Sequence, residues 1–371
     1  MAQQDSKIRI GITQGDINGV GLEVIVKALA NSDILELFTP VIFGSGELLS
    51  QTATLLEEED FRFETIEKPE DISDGRINLF DTGAVSRTPG ISSPDGGKAA
   101  VDALMAASKA IEEGSIDLLV TAPIDKHSAQ GENFNFPGHT EFLEDKFAVD
   151  GGRALMILAS GKLRVSLVTT HMPLAKVPEH IVKDNVVRAI RDFNRALRMD
   201  FGCERPKIAV LSLNPHCGDG GTLGNEEASE IIPAIEECKK EGILAFGPIA
   251  SDGLFGSGAY RNFDGILAMY HDQGLAPFKA LAAGTGVNFT AGLNIIRTSP
   301  AHGTAYDKAG KGTADETSMR EALYAAIDIA RHRDRFLESS ENPLEIKSAA
   351  ALRQPKKGKE KQMGADQEAG E

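Results

Sequence analysis

Residues 265–279 read GILAMYHDQGLAPFK, in which an apolar run, Gly265 to Met269, leads through Tyr270 to His271 and then into a helical pattern beginning near Gln273. A short apolar run in this setting reads as a buried parallel strand, so the imidazole stands at the strand's carboxyl end. The arrangement occurs twice more upstream. Val165 to Val168 leads into VTTHMPL (168–174) around His171, and Ile208 to Leu213 leads into LNPHCGDGG (213–221) around His216. In open α/β sheets that edge is where ligands bind. One histidine so placed is usually a hydrogen-bonded structural residue, whereas three point to a shared ligand. Neutral imidazoles favour zinc and similar divalent ions, and three protein ligands with a vacant position mark a catalytic metal site.

Outward from these segments, short Val/Ile/Leu-rich runs alternate with longer helical patterns, which predicts βα units and a largely parallel sheet. Candidate strands are 8–13, 40–43, 77–80, 118–121, 155–158, 165–169, 208–213 and 265–269. Apolar positions at three- and four-residue spacing predict helices over 22–30, 98–113, 179–198, 226–241 and 316–337. The chain has 371 residues, which predicts two lobes sharing a cleft, with the chain crossing between them. The expected division is a catalytic unit of 7–338, with one lobe formed by 7–145 plus 285–338 and the other by 146–284. A disordered tail is expected over 339–371, because 347–371 holds no aromatic or β-branched residue.

The formal net charge of −16 repels nucleic acid and anionic membranes, so an anionic substrate needs a locally basic pocket. Three cysteines without a CxxC pair indicate neither a disulfide framework nor a thiolate zinc site. The start, MAQQDSKIRIGI, lacks signal-peptide regions, and no apolar run is long enough for a membrane span, so a cytoplasmic protein is expected. There is no GxGxxG after the first strand and no P-loop motif.

Two regions supply candidate anion contacts. In PGHTEFLED (137–145), His139 and Thr140 open a helix whose N-terminal N–H groups suit a carboxylate or phosphate, although an ordinary capping turn reads the same way. Beyond His271, Lys279, Asn288 and Arg297 offer a point charge, an amide and a planar fork. Glycines 218, 220, 221 and 224 give either a close-approach cradle or a surface loop. Asp272, beside His271, or Asp219, near His216, can fix an imidazole tautomer. His127, His180, His302 and His332 lack this strand-end setting.

Taken together, TAPIDK (121–126), PGHTEFLED, TTHMPL (169–174), LNPHCGDGG, YHDQGLAPFK (270–279), GVNFTAGL (286–293) and IRTSPAHGTAYDKAGKGTAD (296–315) closely resemble the 4-hydroxythreonine-4-phosphate dehydrogenase family of vitamin B6 biosynthesis. The resemblance runs from about Ile8 to Ala330. It implies an isocitrate/isopropylmalate dehydrogenase-like α/β fold, with two α/β/α lobes and a cleft between them. It also implies a homodimer, with a divalent ion (zinc, with magnesium or cobalt as substitutes) held by His171, His216 and His271 drawn from both subunits. The family's substrate contacts fall on His139, Thr140, Lys279, Asn288 and Arg297.

The implied reaction is oxidation of 4-phosphooxy-L-threonine by NAD, or alternatively NADP, to a β-keto acid that decarboxylates to 3-amino-2-oxopropyl phosphate. Lys279 and Asp272 are the candidate proton-transfer residues, and Asp252, in GPIASDGLF, is the candidate cofactor contact. The nearest alternative is a paralogue acting on 4-phospho-threonate or 4-phospho-erythronate. A metal-dependent phosphohydrolase is a further alternative, although it calls for a carboxylate-rich metal cluster. The opening TQGDINGVG departs from the family's usual TPGDPAGIG at Gln14, Ile17 and Asn18, which affects local loop shape rather than any metal or substrate position.

Overall fold

The computed structural model describes residues 7–131, 134–149 and 152–341. Residues 1–336 form one unit and 337–371 a second, of which the described part, 337–341, is helical.

The apolar runs pair into one sheet. In chain order its strands are β1 (Arg9–Thr13), β2 (Thr39–Gly44), β3 (Glu64–Ile66), β4 (Asn78–Asp81), β5 (Leu118–Thr121) and β6 (Leu155–Ser160), then β7 (Leu163–Leu167), β8 (Lys207–Leu211), β9 (Leu244–Ile249), β10 (Gly265–Ala268), β11 (Val287–Ala291) and β12 (Arg297–Pro300). They lie in the order β3-β4-β2-β1-β5-β12-β11-β6-β7-β10-β8-β9. Most neighbours are parallel, but β12–β11, β11–β6 and β6–β7 are antiparallel. The middle of the sheet therefore departs from the expected parallel pattern. The β6–β7 hairpin turns through Gly161, whose φ of 54° falls in the left-handed region.

The helices are α1 (Gly21–Leu29), α2 (Gly46–Leu55), α3 (Pro94–Glu112), α4 (His139–Phe147) and α5 (Val177–His180), then α6 (Lys183–Met199), α7 (Ile232–Lys240), α8 (Ser251–Gly256), α9 (His271–Ala282) and α10 (Thr317–Glu341). Side chains alternate between the two faces of each strand. Ile42, Leu118, Val120, Ile157, Ile208, Val210, Leu267 and Phe289 join one core with residues of α1, α2, α6, α7 and α10. The intervening residues face the other way and form two separate clusters. Val41, Phe43 and Leu119 pack with α3 and α4, while Leu158, Val165, Leu167, Ala209 and Ile266 pack with α8 and α9. Burial on both faces explains the near-continuous apolar strands.

Several elements differ from expectation for identifiable reasons. The expected helix 179–198 is broken, because Val182 is extended (φ −107°, ψ 151°) and α6 restarts at Lys183. The expected helix 226–241 opens as a π-type turn over Glu227–Ile231 before α7. Pro233 has no N–H to return to the preceding turn and crowds it, which accounts for the wider coil. The last helix continues to Glu341, past the expected tail boundary at 338. The first helix-breaking residue in the sequence there is Pro343. The rest of the expected tail, 342–371, lies outside the described residues.

Candidate active site

Where the two clusters on one face of the sheet part, a cavity of about 240 Å³ opens over β5, β12, β11 and β6. Strand alternation fixes its floor. Thr298 sends its hydroxyl to Ala322 O on the α10 side, so its neighbour Arg297 faces the cavity. Phe289 lies in the α10-side core and leaves Asn288 on the cavity side, as Ile157 leaves Met156 and Leu158. The walls come from α4, with His139, Thr140 and Glu141, and from α9, with His271, Leu275 and Lys279. The TAPIDK loop adds Lys126, and the segment after β12 adds His302 and Gly303.

Arg297 is 3% exposed, and its guanidinium bonds hydroxyls rather than a carboxylate. Nε and Nη2 donate to Thr121 Oγ1 at 3.1 and 2.6 Å, and Nη1 donates to Thr290 Oγ1 at 3.1 Å. Burial pushes its pKa down to about 10, only partly opposed by Glu141. A buried cation so incompletely neutralised favours an incoming anion. Three buried polar atoms of residues lining this cavity have no hydrogen-bond partner among the described residues: His139 Nε2, Asn288 Oδ1 and His302 Nε2. Burial, then repulsion from Arg297 and Lys126, holds the His139 pKa well below the usual histidine value, so its ring is neutral at pH 7. Gly138 precedes α4 without a capping side chain, which leaves the first-turn N–H groups open to an anion.

The structure brings His171 and His271 together, their ring centroids 5.6 Å apart at one end of the cavity. Desolvation, followed by the charges of Lys126 and His271, lowers the His171 pKa and favours the neutral form that binds metal. His271 begins α9, and its Nδ1 lies 2.7 Å from Asp272 Oδ1. That contact leaves Nε2 as the free ring nitrogen, so the donor set fits a divalent ion.

His216 of the same chain is not gathered with them. It lines an adjoining cavity of about 530 Å³ with Asp252, Asp272 and Gln273. Among the described residues of one chain, no three His, Cys, Asp or Glu side chains converge as a metal-binding group. The backbone at His216 explains where its ring goes. Residues 216–220 all have positive φ, at 53°, 54°, 80°, 43° and 64°, forming a left-handed turn. Such geometry costs roughly 1–2 kcal/mol per non-glycine residue, and the surrounding structure must hold it. Glu227, 2% exposed, accepts from Leu213 N and Asn214 N at 2.8 and 2.7 Å, and Cys217 Sγ contacts Pro248 O at 3.5 Å.

Two cavity residues escaped the sequence reading. His302 stands just beyond β12, a strand too polar to recognise, and so does have a strand-end setting. Lys126 lay within the TAPIDK motif without an assigned role. Asp252, in the first turn of α8, lines the cavity that holds His216 and is not among the residues of the first cavity. No helix among the described residues is long and apolar enough to cross a membrane.

A sheet covered on both faces, with a histidine-lined basic cavity at its centre, defines an α/β enzyme of small anionic substrates. Residues 36–326 match the family described as "Pyridoxal phosphate biosynthetic protein PdxA". A 4-hydroxythreonine-4-phosphate dehydrogenase of Bacteroides thetaiotaomicron is 50% identical over 343 residues, covering 92% of this chain and 94% of the relative. A "Putative D-threonate 4-phosphate dehydrogenase" of Oceanobacillus iheyensis is 41% identical, covering 86% of this chain and 97% of the relative. The crystal structure of a 4-hydroxythreonine-4-phosphate dehydrogenase from Klebsiella pneumoniae superposes with a TM-score of 0.75 at 32% identity, covering 89% of this chain and 99% of that one. The chain belongs to the PdxA family, and its enzyme class is dehydrogenase.

Proposed function

We propose that the protein oxidises 4-phosphooxy-L-threonine with NAD to a β-keto acid that loses carbon dioxide to give 3-amino-2-oxopropyl phosphate. The observation that carries this reading is Arg297, a buried guanidinium with hydroxyl partners, in one cavity with Lys279, Lys126 and the His171–His271 pair. Arg297, His139, Thr140 and Asn288 hold the anionic ends of the substrate and keep water from the reacting carbon. His171, His216 and His271 hold a divalent ion, zinc with magnesium or cobalt as substitutes, and two subunits of a homodimer share the ligand set. When bound, the ion would supply Lewis-acid stabilisation of negative charge, and NAD would supply the hydride acceptor.

Lys279 lies two helical turns from His271 on α9 and lines the cavity, which suits it to take the hydroxyl proton and return one to carbon after carbon dioxide leaves. Asp272 acts through its contact with the His271 ring, and Asp252 lies on the cofactor side. The lobes divide at the β11–β6 seam, between 7–145 plus 285–338 and 146–284. A second reading, oxidation of 4-phospho-threonate or 4-phospho-erythronate, draws on the Oceanobacillus relative's name. The test is to incubate metal-replete protein with NAD and each acid, following NADH and carbon dioxide together. NADH and carbon dioxide in equal amounts from the amino acid support the first reading. Turnover of only the hydroxy acid selects the second, and phosphate release without NADH defeats both.

A further inference from the structure

Glu141 is the one carboxylate among the described residues lining the cavity. It stands half-buried in the first turn of α4, and no hydrogen bond or ion pair within 4 Å joins it to a described residue. It nevertheless faces the cations. Its charge acts on Arg297 and on His171, and its Oε2 and the Lys126 Cε both lie 3.4 Å from the point a Cβ on Gly138 would occupy. A helix N-terminus tolerates an acid, but that does not explain why this one lacks a partner in a cavity with several cations. With no cation within 4 Å among the described residues, its oxygens are open to a charge-assisted hydrogen bond from a cationic ligand.

The cavity's permanent charges give that cation a chemical identity. Lys126 and Arg297, the two cavity cations that no proton transfer uses, together match a phosphate monoester, which carries up to two negative charges. Glu141 is then left for a single positive charge. A 4-phosphorylated 2-amino acid brings an ammonium there, whereas the matching hydroxy acid brings a neutral hydroxyl and leaves Glu141 unpaired. Ion and cofactor charges are the same for both substrates and cancel from the comparison.

We propose that Glu141 is a specificity-determining residue that receives the substrate's ammonium group, so that this cavity selects a 4-phosphorylated amino acid over the corresponding hydroxy acid. The inference rests on the dehydrogenase reading above and names which of its two substrate classes the site takes.

The test measures kcat/KM for 4-phosphooxy-L-threonine and for 4-phospho-D-threonate in the wild type and in Glu141→Gln, with calorimetric Kd for both ligands in the absence of NAD. The wild type is expected to prefer the amino acid, and Glu141→Gln to reduce that preference about 30-fold, mainly through KM and Kd, as loss of a charge-assisted contact predicts. Each substrate serves as the folding control for the other. Equal losses on both substrates, or no change in their ratio, overturn the assignment. A wild type that favours the hydroxy acid also overturns it while leaving the dehydrogenase reading intact. A wild type that oxidises neither acid defeats the dehydrogenase reading itself, and the inference falls with it.

Discussion

His171 and His271 share one end of the basic cavity, 5.6 Å apart between ring centroids, while His216 of the same chain opens into the neighbouring cavity. A three-histidine ion site therefore needs His216 from a second subunit. His171→Ala and His216→Ala are each expected to abolish turnover and to lower bound metal. Mixing and reassembling the two inactive proteins is expected to restore part of the activity, because each hybrid dimer rebuilds one complete ligand set. Activity that stays absent after verified subunit exchange would disprove the shared site.

Arg297 illustrates a stability cost accepted for binding. Its folded pKa is lowered to about 10, so the unfolded chain holds that proton more tightly. The sign follows directly: the charge costs stability at every pH below about 10, and the cost fades as pH rises from there toward the ordinary arginine value. At neutral pH it is on the order of a few kcal/mol, offset in part by the bonds to Thr121 and Thr290. Arg297→Met is expected to leave the free protein's Tm equal to or above wild type while raising KM by at least about 30-fold. A variant several degrees less stable than wild type would refute this account.

Much of this site was legible in the sequence, and what was missed has a physical cause. Strand β5 falls on 118–121 as its apolar run predicts, because both its faces are buried. The strands β11 (VNFTA) and β12 (RTSP) sit mid-sheet yet are absent from the candidate strands, since their apolar runs are interrupted by Asn288 and Arg297, which line the cavity, and by Thr290, which accepts from Arg297. Missing β12 hid His302. Likewise, a period-two pattern cannot show that His216 enters a left-handed turn, because that geometry depends on Glu227 holding the loop from outside.

The pair Arg333–Asp200 lies away from the cavity and gives a test of stability alone. Arg333 Nε donates to Asp200 Oδ1 at 2.6 Å, and the Asp200 side chain is 1% exposed. Burial raises the Asp200 pKa despite Arg333, so the folded state binds that proton more tightly than the unfolded chain does. Its contribution is fully present below the unfolded value and is lost as pH rises through the folded one. Arg333→Met removes the opposing charge and is expected to destabilise by about 3–5 kcal/mol at neutral pH, and by less in mild acid. Urea titrations at two pH values check this, and a pH-independent loss would contradict it.

Asn18, one of the departures noted in the opening TQGDINGVG, has a local role in the structure. Its side chain is fully buried: Oδ1 accepts from Thr88 N at 2.6 Å, and Nδ2 donates to Ser93 Oγ at 2.8 Å. Ser93 in turn caps α3 by accepting from Gly96 N, so one amide ties the 88–93 segment to both β1's turn and a long helix. Asn18→Ala leaves the Thr88 N–H without its partner and loosens the α3 cap, an expected loss of about 1–3 kcal/mol. None of these groups lines the cavity, so kcat and KM are expected to match wild type below the melting range. Denaturant unfolding with an unchanged m-value, alongside steady-state kinetics, separates the two effects. A selective fall in kcat in a stably folded variant would instead tie Asn18 to catalysis.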